Sequence, residues 1–318
     1  MTHLSISFAA KPAAKTAADT VVVPVMQDNK LTPAAKKLDE AAGGMIGAYL
    51  ARQKNFTGKP GQTLEMAALP KQTFARIVLV GSGEPDKLTA RDSETIGQKL
   101  FAALQAAGAE SALIHTDGIA AEFMAFGLKL KSYAFTAYRS KSKEDKTAKL
   151  SKIIFAGKEA TAAARNFKTL EAVAAGITLA RDLTNTPPND LYPETYAARI
   201  KKELSPLGVK VEVMDEKKLK TLGFGAHLAV GQGSARPPRV VVMHWNGLGQ
   251  GKKAKDGPLA LVGKGITFDT GGISIKPAAS MDEMKMDMGG SAAVVGTMKA
   301  LALRGAKADI VGIVALAE

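Results

Sequence analysis

Residues 259–290, LALVGKGITFDTGGISIKPAASMDEMKMDMGG, are the most informative part of the chain. It opens on a near-continuous apolar run, and a second such run, DIVGIVALA, follows at 309–317. Runs of this kind are typical of strands that are buried on both faces of a parallel sheet. A helix of small residues is predicted between them, at 291–303. The sequence therefore predicts an α/β arrangement in this part of the chain.

The residues before this stretch alternate between short β-branched runs and amphipathic segments. Strands are predicted at 4–8, 21–25, 76–80, 111–115, 209–213, 226–231 and 239–245, and helices at 32–51, 90–107, 119–130 and 193–204. A chain of 318 residues is too long for one ordinary core, so two domains are expected. The long alanine-rich helix predicted at 158–183 is the expected connector between an N-terminal α/β domain (1–157) and a second domain (184–318).

Composition excludes several classes of site. The chain has no cysteine, which excludes disulfides, zinc fingers, iron–sulfur sites and thiol nucleophiles. None of its four histidines is paired at a metal-binding spacing, and this argues against a zincin-type protease and a nucleophile–histidine triad. No signal peptide and no apolar segment of membrane-spanning length is apparent. We therefore expect a cytoplasmic protein without a membrane partner.

The formal net charge of +13 is concentrated in part at residues 129–152. This segment holds eight Lys/Arg residues against two acidic ones, interleaved with Tyr133, Phe135 and Tyr138. Such a patch can face nucleic-acid phosphates, and it motivates an alternative function: a DNA-binding regulatory or architectural protein. The simpler interpretation is a solvated, lysine-rich surface that guards an edge strand against aggregation.

Two lysines and two aspartates are the chemically informative residues of the 259–290 stretch: Lys264, Asp269, Lys276 and Asp287. Glycines around them let the backbone approach something small, and Asp269 follows a predicted strand, where α/β sheets bind ligands. Carboxylates without histidine suit divalent ions such as Mn²⁺, Mg²⁺ or Zn²⁺. Lys264 is then a cation paired with the aspartates or a neutral amine that ligates a metal. The alternative is a salt-bridged, glycine-rich loop without a metal.

Several segments carry a resemblance to one family. VGKGITFDTGGISIKP (262–277) followed by MDEMKMDMGG (281–290) closely resembles the leucyl aminopeptidase family, the hexameric two-metal cytosol aminopeptidases. RDLTNTPPNDLYP (181–193) and GFGAHLAVGQGSARPPRVVVMHWNG (223–247) resemble landmarks of that family in the same order. The resemblance implies an α/β fold with a smaller N-terminal α/β domain and a catalytic α/β/α domain with a mostly parallel central sheet.

The resemblance also implies a role for individual residues. Lys264 matches the lysine that ligates one metal through its amine, Asp269 the aspartate that bridges two ions, and Asp287 a second aspartate on the metal of the lysine. Lys276 matches the catalytic lysine that steadies the tetrahedral gem-diolate, and Met284 a methionine that lines the pocket for the first side chain. The implied cofactors are two divalent ions, Mn²⁺ or Zn²⁺. The implied substrates are peptides with apolar, leucine-like N-terminal residues, and the implied assembly is a homo-hexamer.

One departure from the family pattern matters for activity. The family continues with a motif of the form N-T-D-A-E-G-R, which gives two further carboxylate ligands and an arginine that holds a bicarbonate used as general base. This sequence lacks that motif, so three of the five expected ligand residues are present. We therefore expect a sheet that is incomplete at the C-terminus, a truncated form of a longer enzyme, and an isolated 318-residue chain without turnover. A structural or regulatory subunit is the remaining alternative.

Overall fold

The computed structural model describes residues 4–11, 18–67, 72–140, 150–249, 252 and 254–318. The chain divides into two compact units, the N-terminal unit (Met1–Glu171) and the C-terminal unit (Ala172–Glu318), and the division falls within one long helix. Over the part of the chain that is described, no helix is long and apolar enough to cross a membrane.

A six-stranded sheet forms the centre of the N-terminal unit. Its strands are β1 (Ser5–Ala9), β2 (Thr20–Met26), β3 (Thr63–Ala67), β4 (Arg76–Gly83), β5 (Ser111–His115) and β6 (Lys152–Ala156). They lie in the order β1-β6-β5-β2-β4-β3, and every neighbouring pair is parallel except β3 and β4. The helices of this unit are α1 (Pro33–Ala41), α2 (Met45–Leu50), α3 (Ala90–Ala106) and α4 (Ala121–Lys131). The central strands β2, β4, β5 and β6 are mostly apolar, as expected for parallel strands that are covered on both faces.

Local sequence signals set the ends of these helices. Thr89 accepts a hydrogen bond from the Asp92 amide while the Asp92 carboxylate accepts one from the Thr89 amide, so a capping box begins α3. Gly43 and Gly44 have φ angles of +65° and +82°. Because a right-handed helix cannot continue through such angles, the single helix predicted at 32–51 is two helices, α1 and α2.

Asp19, at the start of β2, ties three elements of the N-terminal unit together. Its carboxylate accepts hydrogen bonds from the Glu110 and Ser111 amides, at 3.1 and 2.9 Å, and pairs with the Arg76 guanidinium at 3.2 Å. Burial raises the pKa of this carboxyl, but the hydrogen bonds and the charge of Arg76 outweigh it and hold the pKa below its usual value. The ionised form of Asp19 therefore stabilises the folded unit.

The C-terminal unit is built on a four-stranded sheet. Its strands are β7 (Lys210–Met214), β8 (Arg239–Asn246), β9 (Leu259–Ile266) and β10 (Asp309–Ala317), in the order β7-β8-β10-β9. Its helices are α6 (Pro193–Leu204), α7 (Glu216–Thr221), α8 (Gly225–Gly231) and α9 (Gly289–Leu303), together with the second part of α5 (Ala160–Asn185). A single apolar cluster joins α5, α6 and α9 to β8 and β10, with fully buried Leu183, Ile200, Met243, Val295 and Val314 among its members.

The predicted α/β class with two domains is confirmed, and the six-stranded sheet is mostly parallel. In the four-stranded sheet, β9 and β10 are parallel whereas β8 is antiparallel to both β7 and β10. Parallel neighbours need a crossover, and α9 provides one between β9 and β10. The prediction of a strand at 226–231 is wrong, because this segment is α8. Its apolar run is too short to distinguish a strand from a helix by periodicity.

Candidate functional site

The site lies at the carboxyl end of β9 and is set by a close backbone contact. An added Cβ at Gly263 would lie 2.6 Å from Ser291 Cα and 2.7 Å from Gly290 O, so only glycine lets β9 touch the first turn of α9. Lys264 follows on β9, and Asp287 directly precedes the α9 N-cap, Met288. The contact at Gly263 therefore brings the two charged side chains together.

Lys264 and Asp287 form the first of two ion pairs. Lys264 Nζ lies 2.8 Å from Asp287 Oδ1, with the lysine side chain 58% exposed and the aspartate side chain 22% exposed. Asp287 Oδ2 is buried and has no hydrogen-bond partner among the residues that the structure describes. Burying a carboxylate oxygen without a partner costs folding free energy, and such an oxygen is free to ligate a cation.

Asp269 and Lys276 form the second pair, on the loop that follows β9. Lys276 Nζ lies 2.8 Å from Asp269 Oδ2, and the Gly271 amide donates to Asp269 Oδ1 at 2.9 Å. Gly271 and Gly272 have φ angles of +88° and +68°, which fold the loop back so that the Lys276 amide donates to Thr270 O. The left-handed turn thus returns Lys276 to Asp269 within seven residues of sequence.

The two pairs interact electrostatically. The hydrogen bond from Lys276 is the largest cause that holds the pKa of Asp269 below its usual value, followed by the Gly271 amide, with smaller contributions from the charges of Lys276 and Lys264. Because Lys264 lies on β9 and Asp269 lies three residues beyond the end of that strand, both pairs lie at its carboxyl end. Met284 belongs to the same site, because Lys276 Nζ lies 3.0 Å from its Sδ.

The chemistry of these donors fits a divalent cation in part. Two carboxylates and one amine are available, and one carboxylate oxygen lacks a partner. Within the described ranges there is no cluster of three or more His, Cys, Asp or Glu side chains that could hold a metal. Lys264, Asp269 and Asp287 therefore offer a partial set of ligands, with fewer donors than two ions require.

Comparison with known proteins identifies the family. The catalytic-domain model of the cytosol aminopeptidase family matches residues 178–318, and the N-terminal-domain model of the same family matches residues 22–142. The chain belongs to the cytosol aminopeptidase family. The predicted resemblance is thereby confirmed.

Individual members of the cytosol aminopeptidase family agree with this assignment. A "Probable cytosol aminopeptidase" of Rhizobium etli is 46% identical over 294 residues, covering 88% of this chain and 58% of the relative. A protein of the same name from Brucella suis is 45% identical over 293 residues, again covering 88% and 58%. The chain thus spans somewhat under three fifths of the length of these curated relatives.

Solved structures show the same fold. A tomato leucine aminopeptidase mutant superposes with a TM-score of 0.80 at 28% identity, covering 99% of this chain and 63% of that one. The bottromycin maturation enzyme BotP in complex with Mn superposes with a TM-score of 0.72 at 28% identity, covering 95% and 60%. The chain therefore shares its fold with both solved structures over most of its length.

Sequence reasoning missed a buried polar contact behind the site. Tyr196 on α6 is fully buried, and its hydroxyl lies 3.0 Å from Ser291 Oγ in the first turn of α9. Burial raises the pKa of Tyr196 well above its usual value, so its hydroxyl stays protonated and can donate. No family motif or spacing points to this pair, because it joins residues 95 positions apart.

A second missed cluster lies at the end of β10. Arg236 pairs with Glu318 at 3.2 Å, donates to Pro188 O at 2.9 Å and stacks on the Tyr192 ring at 4.0 Å. Glu318 also accepts a hydrogen bond from Ser234 Oγ at 2.8 Å. These contacts link the segments 181–193 and 223–247 to the end of β10, the strand beside β9.

The basic segment at 129–152 is described only in part. Phe135 and Tyr138 lie with ring centroids 5.8 Å apart, and Tyr138 is 55% exposed. Lys141, Lys143 and Lys146, on which the prediction of phosphate binding depends, lie outside the described residues. The DNA-binding alternative stays a prediction from charge.

Proposed function

We propose that the chain carries the metal-binding and catalytic lysine residues of a leucyl-type metalloaminopeptidase, which releases apolar N-terminal residues from peptides. The observation that carries the proposal is a pair of ion pairs, Lys264–Asp287 and Lys276–Asp269, on β9 and the loop that follows it. Ligands bind at the carboxyl ends of the strands in α/β proteins. The names of the relatives and of the tomato structure support the choice of reaction.

Three residues would hold the metal. Lys264 would contribute its amine, Asp269 a carboxylate that reaches two ions, and Asp287 the carboxylate whose Oδ2 is buried without a partner in the described structure. Bound divalent ions would supply a hydroxide nucleophile and polarise the scissile carbonyl. Mn²⁺ and Zn²⁺ are the proposed ions, and the Mn complex of the structural neighbour BotP supports the first.

Lys276 would act on the substrate. Its ammonium is fixed on a tight loop by the pair with Asp269 at 2.8 Å. A fixed positive charge beside the scissile carbonyl stabilises the negative oxygen that develops only in the transition state. Met284, whose sulfur contacts Lys276 Nζ, would line the pocket for the first side chain, and a flexible thioether suits leucine-like groups.

The number of ligands limits what the chain does alone. Three ligand residues leave two ions under-coordinated, so the 318-residue chain is proposed to hydrolyse peptides at no more than background rate. A bicarbonate would serve as general base where the family's arginine motif is also present. A homo-hexamer and a cytoplasmic location are proposed on the strength of the family and of the relatives' name.

Complementation tests this function. The chain is assayed for Mn²⁺-dependent release of leucine from a leucyl anilide, alone and mixed with the part of the Rhizobium etli relative that lies outside the matched residues. We expect background rates alone and chelator-sensitive turnover in the mixture, abolished by Asp269→Ala in this chain. Turnover that persists in the mixture with Asp269→Ala would refute the assignment. Robust turnover by the chain alone would refute the argument from ligand number.

The DNA-binding alternative has its own test. Binding to phosphates predicts an affinity that falls steeply with the logarithm of the salt concentration, and neutralising Lys141, Lys143 and Lys146 should flatten that dependence. An unchanged dependence would leave the segment as a solvated surface.

A further inference from the structure

The first turn of α9 carries an unusual polar support. Met288, the N-cap residue of α9, is almost fully buried, and its carbonyl accepts both the first helical hydrogen bond, from the Ala292 amide at 3.1 Å, and one from Ser291 Oγ at 2.7 Å. Because the Ser291 hydrogen points to Met288 O, the hydroxyl of Tyr196 is the donor in its 3.0 Å contact with Ser291 Oγ. The three groups form a buried chain from α6 to the residue beside Asp287.

The position of this turn determines where Asp287 lies. Gly263 on β9 contacts the backbone of Gly290 and Ser291, so the turn sits directly on the strand that carries Lys264. Asp287 is one peptide unit from the Met288 carbonyl, and its Oδ1 reaches Lys264 Nζ at 2.8 Å. A shift of the Met288 peptide would therefore move the carboxylate of Asp287 relative to its partner across the site.

We propose that Tyr196 and Ser291 are positioning residues that hold Asp287 in the geometry needed for a divalent ion, acting through the Met288 carbonyl. The proposal rests on the proposed function in that Asp287 is taken as a metal ligand. Partners that orient a ligand contribute to metal affinity even though they never touch the ion, and losing one typically weakens binding about 10–100-fold. A network of this kind stiffens a site only when every member is satisfied.

The same pair of helices offers an internal control. Lys299 on α9 pairs with Glu203 on α6 at 2.7 Å, which is a second polar link between α6 and α9. Lys299 lies 12 residues beyond Asp287 along the chain, or about 18 Å if all of them were helical. Lys299→Met removes a link between the helices but leaves the first turn of α9 intact.

The test compares Tyr196→Phe, Ser291→Ala, the double variant and Lys299→Met with the unchanged chain. The first readout is the dissociation constant for Mn²⁺ alone, measured by calorimetry. The second is hydrogen exchange of the peptide that contains the Ala292 amide, measured without metal. Circular dichroism checks that each variant is folded, and Tyr196→Phe, which keeps the ring, decides the matter if Ser291→Ala fails to fold.

We expect Tyr196→Phe and Ser291→Ala each to weaken Mn²⁺ binding about tenfold or more and to speed exchange at Ala292, with Lys299→Met close to the unchanged chain. Because Tyr196 and Ser291 act through one chain of hydrogen bonds, the double variant should lose less Mn²⁺ affinity than the product of the two single losses. The proposal is overturned if both single variants keep the Mn²⁺ affinity and the exchange rate of the unchanged chain. It is also overturned if Lys299→Met loses as much Mn²⁺ affinity as they do. If the unchanged chain binds no Mn²⁺, the proposed function fails, and exchange at Ala292 alone decides the positioning role.

Discussion

Gly263→Ala is the substitution with the most direct structural consequence. The new Cβ would lie 2.6 to 2.8 Å from Ser291 Cα, Gly290 O and Ser291 N, and all three are backbone atoms that cannot rotate away. Ordinary contact begins at 3.4 Å, so the first turn of α9 must move by about 0.8 Å from β9. Overpacking of this kind typically costs about 1–3 kcal/mol. The same movement separates Asp287 from Lys264, whose pair is only 2.8 Å long.

Urea unfolding measures the cost, followed at Trp245, which lies in the C-terminal unit. We expect a lower midpoint with an unchanged slope, since the surface exposed on unfolding stays the same. Gly289→Ala is the matched control, because an added Cβ there meets nothing within 4 Å and the residue lies in α9. It should be neutral or stabilising by up to about 1 kcal/mol. Equal midpoints for Gly263→Ala and Gly289→Ala would refute the claim that the contact of Gly263 with the first turn of α9 positions the site residues.

Two further predictions concern the site and the N-terminal unit. In the mixture of this chain with the missing part of the relative, Asp269→Ala should lose metal, whereas Lys276→Ala should keep metal and lower kcat about 10²–10³-fold with KM changed much less. Metal analysis and steady-state kinetics of the two variants test this. The reverse pattern would require the roles of the two residues to be reassigned. Asp19→Ala should destabilise the N-terminal unit by about 1.5–3 kcal/mol at neutral pH through its lost hydrogen bonds. Because the folded pKa of Asp19 is lowered, the stabilisation by its charge is present above the unfolded pKa of about 3.9 and is lost as pH falls through the folded value. In urea unfolding, the difference between the variant and the unchanged chain should therefore shrink as pH falls below about 4. A constant difference down to pH 2 would contradict this.

Much of the fold could be predicted because its signals are local. The apolar runs at 259–263 and 309–317 lie in β9 and β10, and the threonine and proline signals near residue 32 lie at the start of α1. The strand β3 was missed, because its exposed alternation TLEMA carries only a weak signal at a sheet edge. The antiparallel direction of β8 could also not be predicted from the sequence, because strand pairing is determined by tertiary contacts and not by periodicity.

In the candidate site, too, the residues could be predicted from local signals but their contacts could not. Motif spacing singled out Lys264, Asp269, Lys276 and Asp287, and the structure brings them together in two ion pairs. The pairing itself could not be read from the spacing, because it depends on the left-handed turn at Gly271 and on the contact of Gly263 with α9. Tyr196 left no signal, since a buried tyrosine in an amphipathic helix looks like any other core residue until its hydroxyl partner is known.

A Mn²⁺ titration tests whether Lys264, Asp269 and Asp287 together hold a divalent cation. Free Mn²⁺ is followed by electron paramagnetic resonance as it is added to the unchanged chain and to Asp269→Ala and Asp287→Ala, with Asp282→Ala as an exposed carboxylate control from the same segment. We expect saturable binding to the unchanged chain and to Asp282→Ala, and a sharp loss of binding in Asp269→Ala and Asp287→Ala. No binding to the unchanged chain, or equal binding to all four proteins, would contradict it.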